Sequence, residues 1–228
     1  MLILRLKDRI MRFFVFLMVL GLSCIYRPVI KDDPNRPETR LLHIDINKSE
    51  QPERLNYKYL GKFKVTFYWI VEEKDYSGPK TTPLFLENGK LLGYFPSKFV
   101  SDFRKESCAE LKDGRRISYL KKKNKVRIVS DFLGYGGYTL KPFISVATDP
   151  KIIPTGSKLY IPEMTKIDRV ILIGLNDKYE PGIVYAHDIG SMVCDHHIDF
   201  FVGYKRNIKL FNDAGIESSG VVDVYLIE

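Results

Sequence analysis

Short stretches of β-branched and aromatic residues recur along the chain, and most of them end at glycine, proline, asparagine or aspartate. The first stretch, 63–71, is Phe-Lys-Val-Thr-Phe-Tyr-Trp-Ile-Val and predicts a strand, so the fold is expected to begin at Gly61. Further strands are predicted at 143–147, 158–162, 170–173, 182–186, 198–202 and 220–227. Many short strands with little helix are typical of a mainly β protein, either a closed barrel or a sandwich.

The segment between about residues 72 and 140 has a more mixed pattern. Runs 83–86 and 91–95 flank the turn residues Asn88 and Gly89, which predicts a hairpin. Residues 96–111 are a candidate helix, because Phe99, Phe103 and Leu111 fall near one helical face. The basic run 121–125 predicts a solvated turn rather than a binding patch.

The N-terminus has the pattern of an export signal. A positively charged stretch, 1–12, precedes the apolar run 13–22, which is too short to span a bilayer. Small residues then precede Cys24, much as in the lipidation site of bacterial lipoproteins. We therefore expect a signal peptide at 1–23 and a lipid anchor on Cys24. A plain cleaved signal and an uncleaved N-terminal anchor remain as alternatives.

Residues 24–58 are expected to be a tether, because they are rich in proline, charged residues and asparagine. The tether would hold a single folded domain, 59–228, away from a membrane. We therefore expect an exported protein, periplasmic and anchored to the outer membrane. The chain of 228 residues is long enough for one such domain with a sizeable core.

The formal net charge is +8, of which the signal segment contributes +3 and the rest of the chain about +5. Outside the cytoplasm this excess suits an acidic polymer such as peptidoglycan, and we expect no nucleic-acid partner. Two cysteines remain besides Cys24. Cys108 and Cys194 either form a disulfide or stay as two separate buried thiols, because the sequence does not give their distance.

Three aspartates stand at predicted strand ends in the last third of the chain: Asp149, Asp188 and Asp199. Taken singly, each has a plain structural explanation, such as opening a turn or pairing with a lysine. Their shared spacing is more informative. It resembles the pattern Ala-x-Asp-Pro-x-x-Ile-Pro-x-Gly-(Ser/Thr), then Asp-x-Gly-(Gly/Ser), then Asp, of the three-aspartate (3D) domain family. The matching residues are Ala147, Asp149, Pro150, Ile153, Pro154, Gly156, Ser157, Asp188, Gly190, Ser191 and Asp199.

This family includes membrane-bound lytic transglycosylase A and the stationary-phase muralytic factors. The resemblance implies a six-stranded double-psi β-barrel, here with an inserted α+β elaboration at about 72–140. It also implies cleavage of the β-1,4 bond between N-acetylmuramic acid and N-acetylglucosamine in peptidoglycan glycan strands. The muramyl C6 hydroxyl attacks in place of water and leaves a 1,6-anhydro end, and no cofactor is required.

Glycosidic cleavage explains why carboxyl groups would gather here. One carboxyl must stay protonated to deliver a proton to the leaving oxygen, while another stays ionised near the developing ring cation. By the resemblance, Asp199 is the general acid and later the base. Asp188 is its charged partner, and Asp149 orients the site or substrate.

Substrate contacts are expected from His187, Gly190, Ser191 and Tyr68. The sequence departs from the family pattern at two positions, with Cys194 for the usual lysine and Asp195 for a glycine that allows unusual backbone angles.

Other functions remain possible from the sequence. His187, Asp188, Cys194, His196 and His197 include known metal-ligand types, but their spacing matches no established zinc site, so we expect no metal. A non-catalytic, expansin-like wall-binding lipoprotein would use the same groove without cutting. An adhesion lipoprotein would keep only the fold, with Asp188 and Asp199 far apart.

Overall fold

The computed structural model describes residues 56–167 and 180–228, and within them the fold is mainly β. The strands are β1 (Tyr57–Glu72), β2 (Lys80–Phe85), β3 (Leu91–Pro96), β4 (Cys108–Glu110), β5 (Arg116–Leu120), β6 (Lys125–Val129), β7 (Ser145–Thr148), β8 (Lys158–Tyr160), β9 (Ile183–Asp188), β10 (His197–Tyr204) and β11 (Val221–Ile227). The helices are α1 (Ser97–Glu106) and α2 (Ile208–Asp213). Short 3-10 segments lie at Glu73–Asp75, Lys121–Lys123, Tyr135–Gly137, Pro162–Lys166 and Lys205–Asn207. The predicted signal peptide, Cys24, most of the tether and the predicted strand 170–173 lie outside the described residues.

Six strands close a ring of pairings in the order β1, β10, β7, β9, β8, β11 and back to β1. The β1–β10 and β7–β9 pairs are parallel, and the other four are antiparallel. Phe63, Val65 and Phe67 alternate along β1 into one buried cluster, together with residues such as Phe200 and Val184 from the facing strands. We call these six strands the ring; they form the main core.

Strand β1 begins at Tyr57, earlier than the predicted start of the fold at Gly61. Tyr57 and Tyr59 already pair with β11, although their rings are exposed. The change in composition at Gly61 marks a bulge: the register with β11 shifts there, and Gly61 has a φ of +113°. Residues 57–59 pair while their side chains are exposed, so the hydrophobic pattern does not predict this part of the strand.

Residues 73–129, which we call the appended segment, extend the sheet beyond the ring. The end of β1 pairs with β4, and β5 and β6 follow in antiparallel order. The hairpin predicted from 83–86 and 91–95 is confirmed as the β2–β3 pair. A second core forms around Phe99 and Phe103 of α1.

The helix predicted over 96–111 is shorter than expected. Helix α1 ends at Glu106, because Ser107 takes a left-handed conformation with φ 65° and donates its amide to the Phe103 carbonyl. The chain then enters β4, and Leu111 joins the same core from beyond that strand. The spacing of Leu111 therefore fits the helical pattern, although Leu111 does not belong to the helix.

The two cysteines within the described ranges are not bonded to each other. Cys108 is buried, and Cys194 is exposed. Of the two sequence-based alternatives, separate thiols are therefore found, although only one of them is buried. None of the helices in the described ranges is long and apolar enough to cross a bilayer.

Candidate active site

A cavity of about 570 Å³ lies between the ring and the appended segment. Ring residues on its wall include Thr66, Tyr68, Asp188, Gly190, Ser191 and Asp199. Residues 104–108 and 118–121, together with Arg127 and Val129, line it from the appended segment. The volume is typical of a site for a small ligand or part of a polymer.

Asp199 is a half-buried carboxyl group on the cavity wall. Its strand neighbours Ile198 and Phe200 are fully buried on the other face of β10, so alternation directs Asp199 toward the cavity. The Thr66 hydroxyl donates a hydrogen bond of 2.7 Å to its Oδ1. Burial raises the pKa of Asp199 to about 6; the Thr66 hydrogen bond opposes this, and the nearby Asp188 charge adds to it.

Asp188, at the end of β9, lines the same cavity in a more polar setting. Its Oδ1 accepts the backbone amides of Tyr135 at 3.0 Å and Ile189 at 2.9 Å. Its Oδ2 accepts the Tyr68 hydroxyl at 3.3 Å. Burial raises the pKa of Asp188, but all three hydrogen bonds favour the ionised form. The two carboxyl groups therefore have unlike environments, as paired acid and charge-stabilising roles require.

His187, for which a substrate contact is predicted, does not line the cavity. It precedes Asp188 on β9, and alternation along the strand turns it to the opposite face. Its ring stacks on Tyr138 and Tyr185 at centroid distances of 4.8 and 5.3 Å, and its Nδ1 lies 2.9 Å from Ser145 Oγ. Burial, with a smaller effect of Lys141, lowers the pKa of His187.

The loop that supplies the Tyr135 amide packs tightly on the His187 backbone. A Cβ on Gly134 would stand 2.2 Å from the His187 carbonyl oxygen, so only glycine fits there. Tyr138 completes this contact by stacking on the His187 ring. His187 thus supports the loop that binds Asp188, and its contribution to the site is indirect.

Asp149 also lies outside the cavity lining, so the three aspartates do not share one wall. Its Oδ1 accepts the Lys151 amide and its Oδ2 accepts the Asp195 amide, each at 3.0 Å. These two backbone donors lower the pKa of Asp149. The physical reason for its position is turn formation: an aspartate before proline binds the amide two residues later. Its second oxygen ties that turn to the loop between Asp188 and Asp199.

Asp195, which replaces the family's usual glycine, takes a backbone conformation that favours glycine. Its φ is +57°, in the left-handed region, which aspartate tolerates better than most residues. Its amide is held by Asp149, and its carbonyl accepts the His197 amide at 2.9 Å. The substitution therefore leaves the turn intact, while Cys194 stands exposed beside it.

The other predicted contacts, Tyr68, Gly190 and Ser191, all line the cavity. Tyr68 is only 8% exposed, and its ring packs on Phe201 at 5.1 Å, so it offers a hydroxyl to Asp188 rather than a face to a sugar. Burial, followed by the charge of Asp188, raises the pKa of Tyr68. Ser191 Oγ accepts a hydrogen bond of 3.3 Å from Lys121 Nζ.

Glu106 is a third carboxyl group of the cavity that sequence reasoning missed. It is the last residue of α1, and burial raises its pKa to about 7, with the Asp199 charge adding and the Trp69 amide opposing. The negative end of the helix dipole also disfavours its ionised form. No motif surrounds Glu106, and its only sequence signal is a carboxylate at the end of an amphipathic helix.

The cavity also receives positive charge from the appended segment. Arg104, Lys105, Lys121 and Arg127 line it, although Arg127 is neutralised by a two-bond contact with Glu87. The turn predicted at the basic run 121–125 is confirmed as the 3-10 segment Lys121–Lys123. The expectation that this run is only a solvated turn is incomplete, because Lys121 reaches Ser191 across the cavity.

The residues weighed as metal ligands do not converge. His187 contacts Ser145, His196 packs on Phe63, and His197 contacts Thr66. Within 56–167 and 180–228, no three His, Cys, Asp or Glu side chains are grouped to hold a metal ion.

Comparisons with known proteins give one family match and several similar folds. Residues 144–227 match the family model of the 3D domain. MltA of E. coli with bound chitohexaose superposes with a TM-score of 0.50 at 13% identity, covering 74% of this chain and 72% of MltA. The membrane-bound lytic murein transglycosylase of Agrobacterium tumefaciens gives 0.48 at 12%, covering 74% and 73%. A search of curated proteins found no match. The 3D-domain match covers residues 144–227 of this chain, and the fold resembles that of E. coli MltA.

Proposed function

We propose that this protein cleaves peptidoglycan glycan strands at the β-1,4 bond between N-acetylmuramic acid and N-acetylglucosamine, as a lytic transglycosylase. The observation that carries the proposal is the pair Asp199 and Asp188 on one cavity wall. Asp199 has a pKa of about 6, raised by burial, and Asp188 accepts three hydrogen bonds. This difference separates a proton donor from a carboxylate that stays charged.

The reaction then follows from the position of Asp199 on the cavity wall. Protonated Asp199 gives its proton to the glycosidic oxygen as the bond from that oxygen to the muramyl C1 breaks. The C6 hydroxyl oxygen of the same sugar bonds to C1, and its proton passes to the Asp199 carboxylate. Atoms and charge balance, Asp199 regains its proton, and the product carries a 1,6-anhydro ring.

Asp188 is proposed to stabilise the positive charge that develops on the ring. Its carboxylate is aligned by the Tyr135 and Ile189 amides and by the Tyr68 hydroxyl before substrate arrives. Such preorganised charge costs no rearrangement during the reaction. Gly190 and Ser191, which follow Asp188 on the wall, are proposed to contact the sugar, and Asp149 to hold the turn that orients them.

The substrate class is supported by charge and by the fold comparison. Peptidoglycan carries carboxylates on its stem peptides, and Lys105 and Lys121 lie on the cavity wall. The similar E. coli MltA structure contains chitohexaose, a linear sugar chain. Both points favour an elongated acidic glycan as the ligand of this cavity.

The remaining sequence-based expectations belong to the same proposal. The closed pairing of six strands, with two parallel pairs, supports a double-psi β-barrel. The N-terminal pattern supports a signal peptide at 1–23, a lipid anchor on Cys24 and a tether to about residue 58. A periplasmic lipoprotein on the outer membrane would place the cavity next to its substrate.

Purified protein on isolated sacculi tests the proposal. We expect soluble muropeptides with 1,6-anhydro ends by mass spectrometry, and a rate lower by about 10³-fold in Asp199→Asn. The matched control is Asp223→Asn, which changes an aspartate of β11 outside the cavity lining and is expected to leave the rate nearly unchanged.

Other products would contradict the proposal in different ways. Reducing ends without anhydro sugar would indicate hydrolysis by water. Tight pelleting with sacculi and no fragments would favour the expansin-like binder. Full activity in Asp199→Asn would remove Asp199 from the role of acid.

A further inference from the structure

His197 is connected to Asp199 through a single hydroxyl group. Asp199 and His197 are two residues apart on β10, and Thr66 lies opposite Asp199 on the parallel strand β1. Thr66 Oγ1 is 2.7 Å from Asp199 Oδ1 and 2.8 Å from His197 Nε2. The three side chains therefore form a continuous hydrogen-bonded chain along one face of the ring.

The far end of this chain determines where the neutral imidazole carries its hydrogen. His197 Nδ1 lies 3.1 Å from the Met192 carbonyl oxygen. A carbonyl oxygen only accepts, so Nδ1 must carry a hydrogen to bond with it. In the neutral ring Nε2 is then a bare acceptor, and it needs the Thr66 hydrogen.

Thr66 has one hydroxyl hydrogen for two neighbours that both accept when deprotonated. If Asp199 is protonated, it donates to Thr66, and Thr66 donates to neutral His197. If His197 is an imidazolium, it donates to Thr66, and Thr66 donates to ionised Asp199. When both groups are protonated, His197 donates to Thr66, Thr66 donates to Oδ1 of Asp199, and the proton of Asp199 sits on Oδ2. When both groups are deprotonated, the Thr66 hydrogen can bond only one of them. The lone pair of the other then faces the Thr66 oxygen without a hydrogen between them, which is costly in a partly buried site.

We propose that His197 is a positioning residue that keeps a proton available to Asp199 through the Thr66 hydroxyl. The proposal rests on the proposed function, because a general acid must hold a proton before the glycan arrives. Proton shift along the chain is balanced: Asp199 Oδ1 gives its proton to Thr66 Oγ1 while the Thr66 hydrogen passes to His197 Nε2. The net charge is unchanged, and the two groups are linked through one hydroxyl hydrogen.

Other ionisable groups face the same pair and form a constant background. Asp188 and Glu106 lie near Asp199, and Tyr68 and Cys108 share its wall of the cavity. Lys64 of β1 is the register partner of His197, and Asp195 precedes it in the turn. The variants below change none of these groups.

Nuclear magnetic resonance tests the coupling without relying on activity. The ring nitrogens of His197 and the carboxyl carbon of Asp199 are followed through a pH titration of the full chain. In the wild type, we expect both groups to report the same two titration steps. In Thr66→Val, which removes the hydroxyl with little change in shape, we expect the two steps to move about one pH unit closer together. Thr66→Ser keeps the hydroxyl and is expected to retain the wild-type separation.

A pH–rate profile on sacculi tests the same link through catalysis. Without His197, the Thr66 hydrogen always bonds Asp199 and favours its ionised form. His197→Ala should therefore move the basic limb of kcat/KM to lower pH by about one unit. The shift should vanish in a Thr66→Val background. His196→Ala, which removes the adjacent histidine that packs on Phe63, is the matched control and should leave the limb in place.

Separate single-step titrations at the same pH values in the wild type and in Thr66→Val would overturn the coupling. A His197→Ala shift that persists in Thr66→Val would likewise assign the effect to charge through space. If His197→Ala does not fold, His197→Gln provides the same comparison without an ionisable ring. Coupled titration in a protein that releases no muropeptides would uphold the relay and refute only the proposed function.

Discussion

The ring and the appended segment hold their cavity carboxyl groups in different ways. Asp199 stands on a strand whose other face is fully buried, and Asp188 is held by two backbone amides. Glu106 ends a helix of the appended segment, where burial raises its pKa, and the Asp199 charge and the helix terminus add to this effect. The backbone of the ring thus positions the two aspartates, and the appended segment adds a further ionisable group to the cavity beside them.

Replacing Asp188 should have the largest effect of the changes that test this contrast. In Asp188→Asn the side-chain oxygen can still accept the Tyr135 and Ile189 amides, and the Tyr68 hydroxyl turns to accept from the new NH2 group. The charge that would face the developing ring cation is lost. We expect a fall in kcat of about 10²-fold with little change in KM, measured by muropeptide release. A large rise in KM at constant kcat would show instead that Asp188 only binds substrate.

The contrast also explains how far the sequence predicts the site. Asp188, Gly190, Ser191 and Asp199 were predictable, because a strand, a turn and a strand of fixed length must bring them to one wall. His187 was expected at the cavity with Asp188, but neighbouring residues of a strand point to opposite faces, so the two are separated. Glu106, Lys105 and Lys121 come from a segment with no motif, and only tertiary packing brings them to the cavity.

Similar limits apply to the fold. The hairpin β2–β3 was predictable from its Asn88-Gly89 turn, because local backbone chemistry is sufficient there. The start of β1 was not, because the strand extends before the bulge at Gly61, where the composition changes. The end of α1 was not, because it depends on one residue with positive φ, Ser107. A single left-handed residue ends a regular element without changing the hydrophobic pattern around it.

Glu106→Gln tests whether the appended segment adjusts the acid. The ionised Glu106 beside Asp199 makes a second negative charge costly, so it helps Asp199 keep its proton. Without it, the basic limb of kcat/KM should move to lower pH, with activity about tenfold lower at pH 8 and nearly unchanged at pH 5. The exposed Glu217→Gln is the matched control. An equal loss at both pH values would mean that Glu106 acts through structure.

Glu106→Gln should also change how the free energy of unfolding depends on pH. The folded pKa of Glu106 is raised from 4.5 to about 7, so the folded state holds this proton more tightly than the unfolded chain does. The Glu106 contribution to stability is therefore fully present below pH 4.5 and is lost as pH rises through 7, whereas Glu106→Gln lacks this loss. Denaturant unfolding should show Glu106→Gln more stable than the wild type at pH 7.5, and matched to it at pH 4. A constant difference across this window would contradict the raised pKa.

The cations of the appended segment should affect binding more than chemistry. Lys105→Ala and Lys121→Ala are each expected to raise KM for sacculi about threefold at low salt, with kcat kept. The difference should shrink at higher ionic strength, because partly exposed charges are screened. Lys122→Ala is the matched control, since Lys122 is exposed and does not line the cavity. An unchanged KM in both variants would mean that these lysines do not bind the substrate, and Glu106 would remain as the contribution of the appended segment.

The smallest expected effect concerns the turn that links the two ring aspartates. Asp195 has a φ of +57°, which a glycine adopts without strain, and both of its hydrogen bonds in that turn use backbone atoms. Asp195→Gly should therefore stabilise the fold by about 0.5 kcal/mol, because relief of strain exceeds the added freedom of the unfolded chain. Asp195→Ala, with a Cβ and no polar group, should destabilise it by about 1 kcal/mol. Thermal and denaturant unfolding of the pair measure the difference, and anhydro-muropeptide release should stay unchanged in Asp195→Gly. Loss of release in that variant would mean that the Asp195 carboxylate takes part in the site itself. The chemistry of the ring would then depend in part on a side chain that no backbone amide positions.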